Sequence, residues 1–261
     1  MELHLEDKTA LVTGATAGIG LAIAERLAAE GAQVIICGRS ADKLAAAAAR
    51  IGGDARVRTV AADPATAEGA ARLIEAVPAV DILVNNLGIY EAKPFEDITD
   101  ADWHHLFEVN VVSGARLARH YFPRMIASGS GRIIFVSSES GLLPPPDMIH
   151  YGMTKTAQLA IARGLAERTR GTGVTVNSVL PGPTQSDGIG DFIRSMVTDE
   201  GMDDAAREQA FFKRHRPLSL LGRLIDPAEV AAQVALLASP FGAVTNGAAI
   251  RVEGGMVPTI A

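Results

Sequence analysis

Short apolar, β-branched runs alternate along the chain with longer stretches at helical spacing. Residues 9–12, 33–37, 56–61, 82–84, 132–137, 174–179 and 248–252 read as strands. They are apolar throughout, the pattern expected of strands covered on both faces. Between them, 19–30, 43–51, 65–76, 102–126, 154–169 and 228–238 carry helical spacing. Strands alternating with helices predict an α/β fold, a parallel sheet with helices on both faces. The right-handed rule for parallel crossovers favours a doubly wound open sheet. An eight-stranded barrel is the rival, but it needs an eighth strand–helix unit. Residues 183–217 read instead as an irregular or helical insertion. No linker rich in Pro, Ser or Gly divides the chain, so one domain over 1–261 is expected, with the substrate-loop insertion over approximately 185–221.

Composition narrows the function classes. The apolar fraction is 48% and the charged fraction 21% over 261 residues, the usage of an ordinary globular protein. A fold of this size buries roughly 70–75% of its unfolded surface and needs no disulfide or structural metal. The single cysteine, Cys37, excludes an internal disulfide and a multi-cysteine zinc site. Twenty-four Lys and Arg against 30 Asp and Glu leave a net charge of −6, which gives no electrostatic drive toward nucleic acid. The six histidines show no metal-binding spacing, so no metal site is expected. No apolar run is long enough to span a membrane. The start, with Glu2, Glu6 and Asp7, lacks the features of a secretory leader, so a cytoplasmic location is expected. Glycine is in surplus: 26 residues, about one in ten against roughly 7% in general.

Part of that surplus lies in Thr13-Gly14-Ala15-Thr16-Ala17-Gly18-Ile19-Gly20, directly after the first strand and opening a helix. Glycines there permit a tight turn, close approach of a phosphate to the backbone, and close packing of helix on strand. A plain strand–helix turn would need only one. The spacing is Gly-x3-Gly-x-Gly, not the general Gly-x-Gly-x-x-Gly fingerprint.

Several further motifs stand in order along the chain. Asn85-Asn86-Leu87-Gly88 follows the fourth strand, and Ser137-Ser138 lies thirteen residues before Tyr151-Gly152-Met153-Thr154-Lys155. Pro181-Gly182 follows the sixth strand, and Glu253-Gly254-Gly255 stands near the end. Together these resemble the short-chain dehydrogenase/reductase family, and the resemblance spans nearly the whole chain. It implies a seven-stranded Rossmann-type sheet, a nicotinamide cofactor, and oxidoreduction of a carbonyl/secondary alcohol pair. Leu87 departs from the pattern, since the family usually has alanine there.

The end of the second strand bears on the ribose partner. An acid there would bind both ribose hydroxyls and repel a 2′-phosphate. The chain has Cys37-Gly38-Arg39-Ser40 instead. Arg39 is suited to a phosphate, with Ser40 and Lys43 in support, so NADP is favoured over NAD. Against it, the family's second basic residue before the middle glycine is Ala17 here, and Arg39 also reads as a solvated residue entering a helix. Asp63 resembles the family residue that meets the adenine, and reads equally as a helix N-cap before Pro64. The resemblance adds Gly14, Thr16, Gly18, Ile19, Gly20, Asn86, Gly88, Pro181, Gly182 and Thr184 as cofactor contacts, with Thr184 placed for the carboxamide.

Tyr151 and Lys155 stand four apart on a helix and so share a face. A phenol ordinarily titrates near 10, too high for a base at neutral pH. An ammonium at roughly 4 Å, in an effective dielectric near 20, is worth about 4 kcal/mol, or some three pKa units. By itself such a pair is usually a surface pair; the glycine loop and Ser138 raise it to a candidate acid/base. Ser138, at the carboxyl end of the fifth strand, is placed to hold the substrate oxygen, with Ser137 as the competitor that the family spacing rejects. By resemblance Asn110 supports a water leading to Lys155, which also binds the nicotinamide ribose along with Tyr151. A buried asparagine also serves to mend a helix distortion, and the two readings are compatible. Glu139 is left between a substrate contact and a surface loop acid.

The substrate side is expected from 89–93, 139–149 and 185–221. Pro144, Pro145 and Pro146 stiffen the second segment. Phe192, Met196, Phe211 and Phe212 suggest an apolar lid, with Asp187, Asp191 and Arg194 adding charge. Ala157, Leu159, Ala160, Ile161 and Leu165 spread over a broad helical arc, which predicts a homo-oligomer, dimer or tetramer. The rival to an enzyme is a catalytically silent dinucleotide-binding sensor or interaction protein. Such a protein has no need of the set Asn110, Ser138, Tyr151 and Lys155.

Overall fold

The computed structural model describes residues 2–53 and 56–260. Seven strands form one sheet: β1 (Thr9–Val12), β2 (Gln33–Gly38), β3 (Val57–Ala61), β4 (Ile82–Asn85), β5 (Ser130–Val136), β6 (Gly173–Pro181) and β7 (Ala249–Val252). Their spatial order is β3-β2-β1-β4-β5-β6-β7, and every pairing is parallel. The sheet is open, which removes the barrel. Between the strands lie α1 (Gly18–Ala29), α2 (Ala41–Ile51), α3 (Ala67–Ala76), α4 (Asp100–Phe107), α5 (Ser113–Ser128) and α6 (Ile149–Ala166). The insertion supplies α7 (Ile189–Met196) and α8 (Asp204–His215), and α9 (Pro227–Ala238) precedes β7.

The alternation of strand side chains sorts the core into two layers. Ala10, Val12, Val34, Ile36, Val84, Ile134 and Val136 pack with α1, α2 and α9. Leu11, Ile35, Cys37, Leu83, Ile133 and Phe135 face the other way, against α3, α5 and α6. Successive residues of one strand therefore feed opposite layers, which explains why the strands read as continuous apolar runs. Cys37 is a buried member of the second layer, and burial pushes its thiol up to about 12. The insertion has its own small cluster of Ile193, Val197, Phe211, Phe212 and Leu224. Chain order reverses between β1 and β4, which opens a crevice at their carboxyl ends. Among the described residues no helix is long and apolar enough to cross a membrane.

Three elements differ from the sequence expectation. The helix expected over 102–126 is two helices, α4 and α5, joined by a wider π-type turn at Glu108–Val112. The cause is tertiary: the Asn110 side chain is bonded to Ile89 and Thr154, and its carbonyl accepts from Gln158 Nε2 at 2.6 Å. Helix α6 begins at Ile149, not 154, because Gly152 lets Pro144 pack against it; a Cβ there would stand 2.7 Å from Pro144 Cβ. Helix α3 begins at Ala67 with Thr66 as its N-cap, so Asp63 does not cap it. Asp63 accepts instead from the Ala65 amide at 3.0 Å in a local turn.

Candidate active site

The crevice is a cleft of about 380 Å³ at the carboxyl ends of β1, β4, β5 and β6. One wall is the turn from β1 into α1. Gly14 (φ +62°) and Gly18 (φ +53°) adopt left-handed backbone that side chains disfavour. A Cβ on Gly20 would stand 2.3 Å from Gly14 O, so that helix position must be glycine for the turn to close. Ala17 precedes α1 in extended conformation and offers no side-chain cap, and the first turn holds no acid. The leading amides of a twelve-residue helix are thus left to an anion.

The turn is fastened to β4 from inside. Thr13 Oγ1 accepts from the Asn86 and Leu87 amides at 3.0 Å each, and donates to Val84 O at 3.4 Å. Asn86 Nδ2 returns two bonds, to Thr13 O (3.0 Å) and Gly14 O (3.1 Å). Thr13 was no candidate by sequence; its place just before the first glycine was the only signal. Gly88 completes this wall, where a Cβ would lie 3.4 Å from both Asn110 Oδ1 and Lys155 Nζ. Pro181, Gly182 and Thr184 line the far side. Thr184 Oγ1 donates back to Gly182 O at 2.8 Å.

Ser138, Tyr151 and Lys155 all line the same cleft. Strand β5 ends at Val136, and Ser138 follows in extended backbone, capping a short helical turn through the Ser140 amide at 3.1 Å. Its hydroxyl acts on the Tyr151 phenol and favours the ionised form. Lys155 is buried, donates from Nζ to Val136 O at 3.1 Å, and lies 5.5 Å from the Tyr151 ring centroid. Ser137, the competing serine, is turned away and donates to Lys155 O at 2.9 Å. Asn110 stands behind Gly88, its amide closing a ring with the Ile89 backbone at 2.8 and 2.9 Å.

The electrostatics differ from the simple pair expected by sequence. Desolvation, with the Glu139 charge second, pushes the Tyr151 phenol above its ordinary value. Burial pushes Lys155 down to about 8, partly opposed by Glu139. Loss of solvent therefore outweighs the mutual attraction of the pair in the free protein. Glu139 itself is buried, not a surface acid: its carboxylate accepts from Ser138 Oγ at 2.5 Å and Ser140 Oγ at 3.2 Å.

The nucleotide end is more open. Arg39 is 84% exposed at the end of β2, with Nε 3.9 Å from Asp63 Oδ2. Ser40 caps α2 by accepting from the Lys43 amide at 3.3 Å. Thr16 and Ile19 lie in the turn, Thr16 beside Gly38. On the substrate side Tyr90, Met148, Phe192, Phe211 and Arg216 close the cleft. Tyr90 meets Tyr151 and Phe192 edge-on, with centroids 6.3 and 5.6 Å apart. Arg216 was not a sequence candidate.

The sequence pattern of the short chain dehydrogenase family matches residues 8–195. The chain belongs to this family of short-chain dehydrogenases/reductases. It is 46% identical over its full length, and over all of the relative, to the uncharacterized oxidoreductase YvaG of Bacillus subtilis. It is 34% identical to 3-oxoacyl-[acyl-carrier-protein] reductase FabG of Escherichia coli, over 97% of this chain and 99% of that one. Among solved structures, L-sorbose reductase from Gluconobacter frateurii, complexed with NADPH and L-sorbose, superposes with a TM-score of 0.92. That match covers 100% of both chains at 32% identity. This short-chain dehydrogenase/reductase is accordingly an NAD(P)-dependent oxidoreductase of Rossmann-type fold, and the glycine turn with its open helix end suits a nicotinamide dinucleotide.

The lowered Lys155 value gives a pH signature. The folded protein loses this proton near 8, whereas an exposed lysine holds it to 10.5. Between those values the unfolded chain binds more protons, so folding stability contributed by this site rises with pH. Relative to Lys155→Met, wild type should gain up to about 3 kcal/mol from pH 7.5 to 10.5 in urea unfolding. Parallel stability curves for the two proteins would contradict the assignment.

Proposed function

We propose that this enzyme interconverts a small polar carbonyl compound and its secondary alcohol, with Tyr151 as acid/base and NADP preferred over NAD. The observation that carries the proposal is the convergence of Ser138, Tyr151 and Lys155 on the cleft whose other wall is the glycine turn. A bound nicotinamide supplies or accepts the hydride. In reduction, Tyr151 Oη gives its proton to the carbonyl oxygen as charge develops there, and Ser138 Oγ holds that oxygen by turning its own proton to it from Glu139. Free-protein electrostatics keep the proton on Tyr151, the state from which reduction starts. Lys155, with one donor on Val136 O, has two left for ribose hydroxyls and the phenol's surroundings. Its charge steadies the phenolate once the proton has moved. Asn110 holds the 89–90 backbone against α6 through Thr154, which keeps Tyr90 and Tyr151 in register. Asn86 and Thr13 keep the glycine turn in place for a pyrophosphate.

The L-sorbose reductase neighbour, solved with NADPH, supports both the cofactor and the substrate type. Arg39 is the chain's own support for NADP: its guanidinium is exposed at the end of β2, directly before Ser40, with Lys43 in the first turn of α2. In this reading Asp63 meets the adenine side of the cofactor. A homo-oligomer, tetramer or dimer, is supported by the half-buried Ala157, Leu159, Ile161 and Leu165 of α6.

Tyr151→Phe should lower turnover at least about 100-fold while cofactor fluorescence titrations show unchanged binding. A variant within tenfold of wild type would remove Tyr151 from the reaction. Steady-state kinetics should give a higher kcat/KM with NADPH than with NADH, and Arg39→Ala should erase that difference. A tenfold preference of wild type for NADH would overturn the NADP reading. Light scattering at micromolar concentration should show an oligomer; a monomer would remove the α6 interface.

A further inference from the structure

Glu139 takes no part in the proton and hydride steps above, yet it lines the cleft one residue after Ser138. It is 6% exposed. Arg216 acts on it across the cleft, and among the described residues no Lys or Arg forms an ion pair with it. Burying a carboxyl without a paired cation is costly unless hydrogen bonds satisfy it. The partners here are Ser138 Oγ and Ser140 Oγ. A carboxylate offers about four acceptor positions, so about two remain, in a group that borders the cleft. Its charge also works against ionisation of Tyr151. The acid is thus costly to bury and unhelpful to the base, and neither packing nor proton transfer accounts for it.

Substrate recognition does account for it. Ser138 Oγ, which holds the reacting oxygen in the reading above, lies 2.5 Å from Glu139 Oε2. A second oxygen on the neighbouring carbon of a substrate stands roughly one hydrogen-bond length from the first. We propose that the Glu139 carboxylate accepts a hydrogen bond from a hydroxyl on the carbon next to the reacting carbonyl. The substrate class is then the α-hydroxy ketones and, in oxidation, the vicinal diols. The rest of the substrate side includes the apolar Ile89, Met148, Ile189 and Phe192 with Tyr90, and the polar Ser186 and Asp187 from the insertion. Arg216, whose guanidinium lies 5.3 Å from the Phe211 ring centroid and bonds His215 O at 2.7 Å, keeps further donors for a more distant oxygen of such a compound. This inference rests on Ser138 and Tyr151 holding the reacting oxygen.

The test compares 3-hydroxy-2-butanone with 2-butanone, which differ by one hydroxyl, using NADPH and wild type, Glu139→Gln and Glu139→Leu. A hydrogen bond to a buried charged acceptor is worth roughly 10- to 100-fold. Glu139→Leu should lower kcat/KM for the hydroxyketone by about that factor beyond whatever change it makes for 2-butanone, which reports the altered surroundings of Ser138 and Tyr151. Glu139→Gln, which keeps an acceptor oxygen and the shape, should fall between. Calorimetry in a Tyr151→Phe background, where turnover is suppressed, should show the NADPH-loaded protein losing affinity for the hydroxyketone on adding Glu139→Leu. Equal losses for both ketones, or no loss for the hydroxyketone, would overturn the inference and leave the oxidoreductase reading intact. Failure of wild type to reduce either ketone would overturn both.

Discussion

The bond from the Lys155 ammonium to the Val136 carbonyl fixes the geometry on which the site depends. At the carboxyl edge of a parallel sheet the last backbone groups run out of ladder partners, and in a buried crevice something polar must take them. Lys155 takes Val136 O at 3.1 Å, and Ser137 reaches back to Lys155 O at 2.9 Å. Helix α6 is therefore clamped to the end of β5 by both its side chain and its backbone. One turn earlier on α6, Tyr151 is carried to Ser138 by the same clamp. Capping the sheet and building the reaction centre are one arrangement, so a change that loosens one disturbs the other.

The same edge is closed at β1 and β4 by Thr13 and Asn86. Their four bonds near 3 Å hold the glycine turn at a fixed distance from the end of β4. The nucleotide wall and the reaction wall are thus built separately and meet at Gly88, behind which Asn110 and Lys155 lie. The insertion that carries α7 and α8 adds Phe192, Phe211 and Arg216 over the crevice from a small core of its own.

Much of this was legible in the sequence because periodicity and glycine report backbone geometry directly. All seven strands fell within two residues of their expected limits, and the glycine turn, Ser138, Tyr151 and Lys155 share one cleft as their spacing implied. What remained hidden depends on contacts between distant segments. The π-type turn at Asn110 is imposed by Ile89, Thr154 and Gln158, none of them local. The early start of α6 depends on Pro144 fitting against Gly152. Burial of Glu139 could not be read from its place in a loop, nor could the desolvation that, with its charge, outweighs the pull of the Lys155 ammonium on the phenol in the free protein. Desolvation is a property of the assembled cleft, and no spacing rule carries it.

In the proposed reaction hydride passes directly between nicotinamide and a carbonyl carbon held by Ser138 and Tyr151. Cofactor deuterated at the transferable position of nicotinamide C4 tests it most directly, with mass and NMR analysis of the alcohol formed from a simple ketone. One deuterium per product is expected, on the carbinol carbon, with none released to water. A carbinol hydrogen drawn from solvent, with the label left on the cofactor or lost to water, would contradict it.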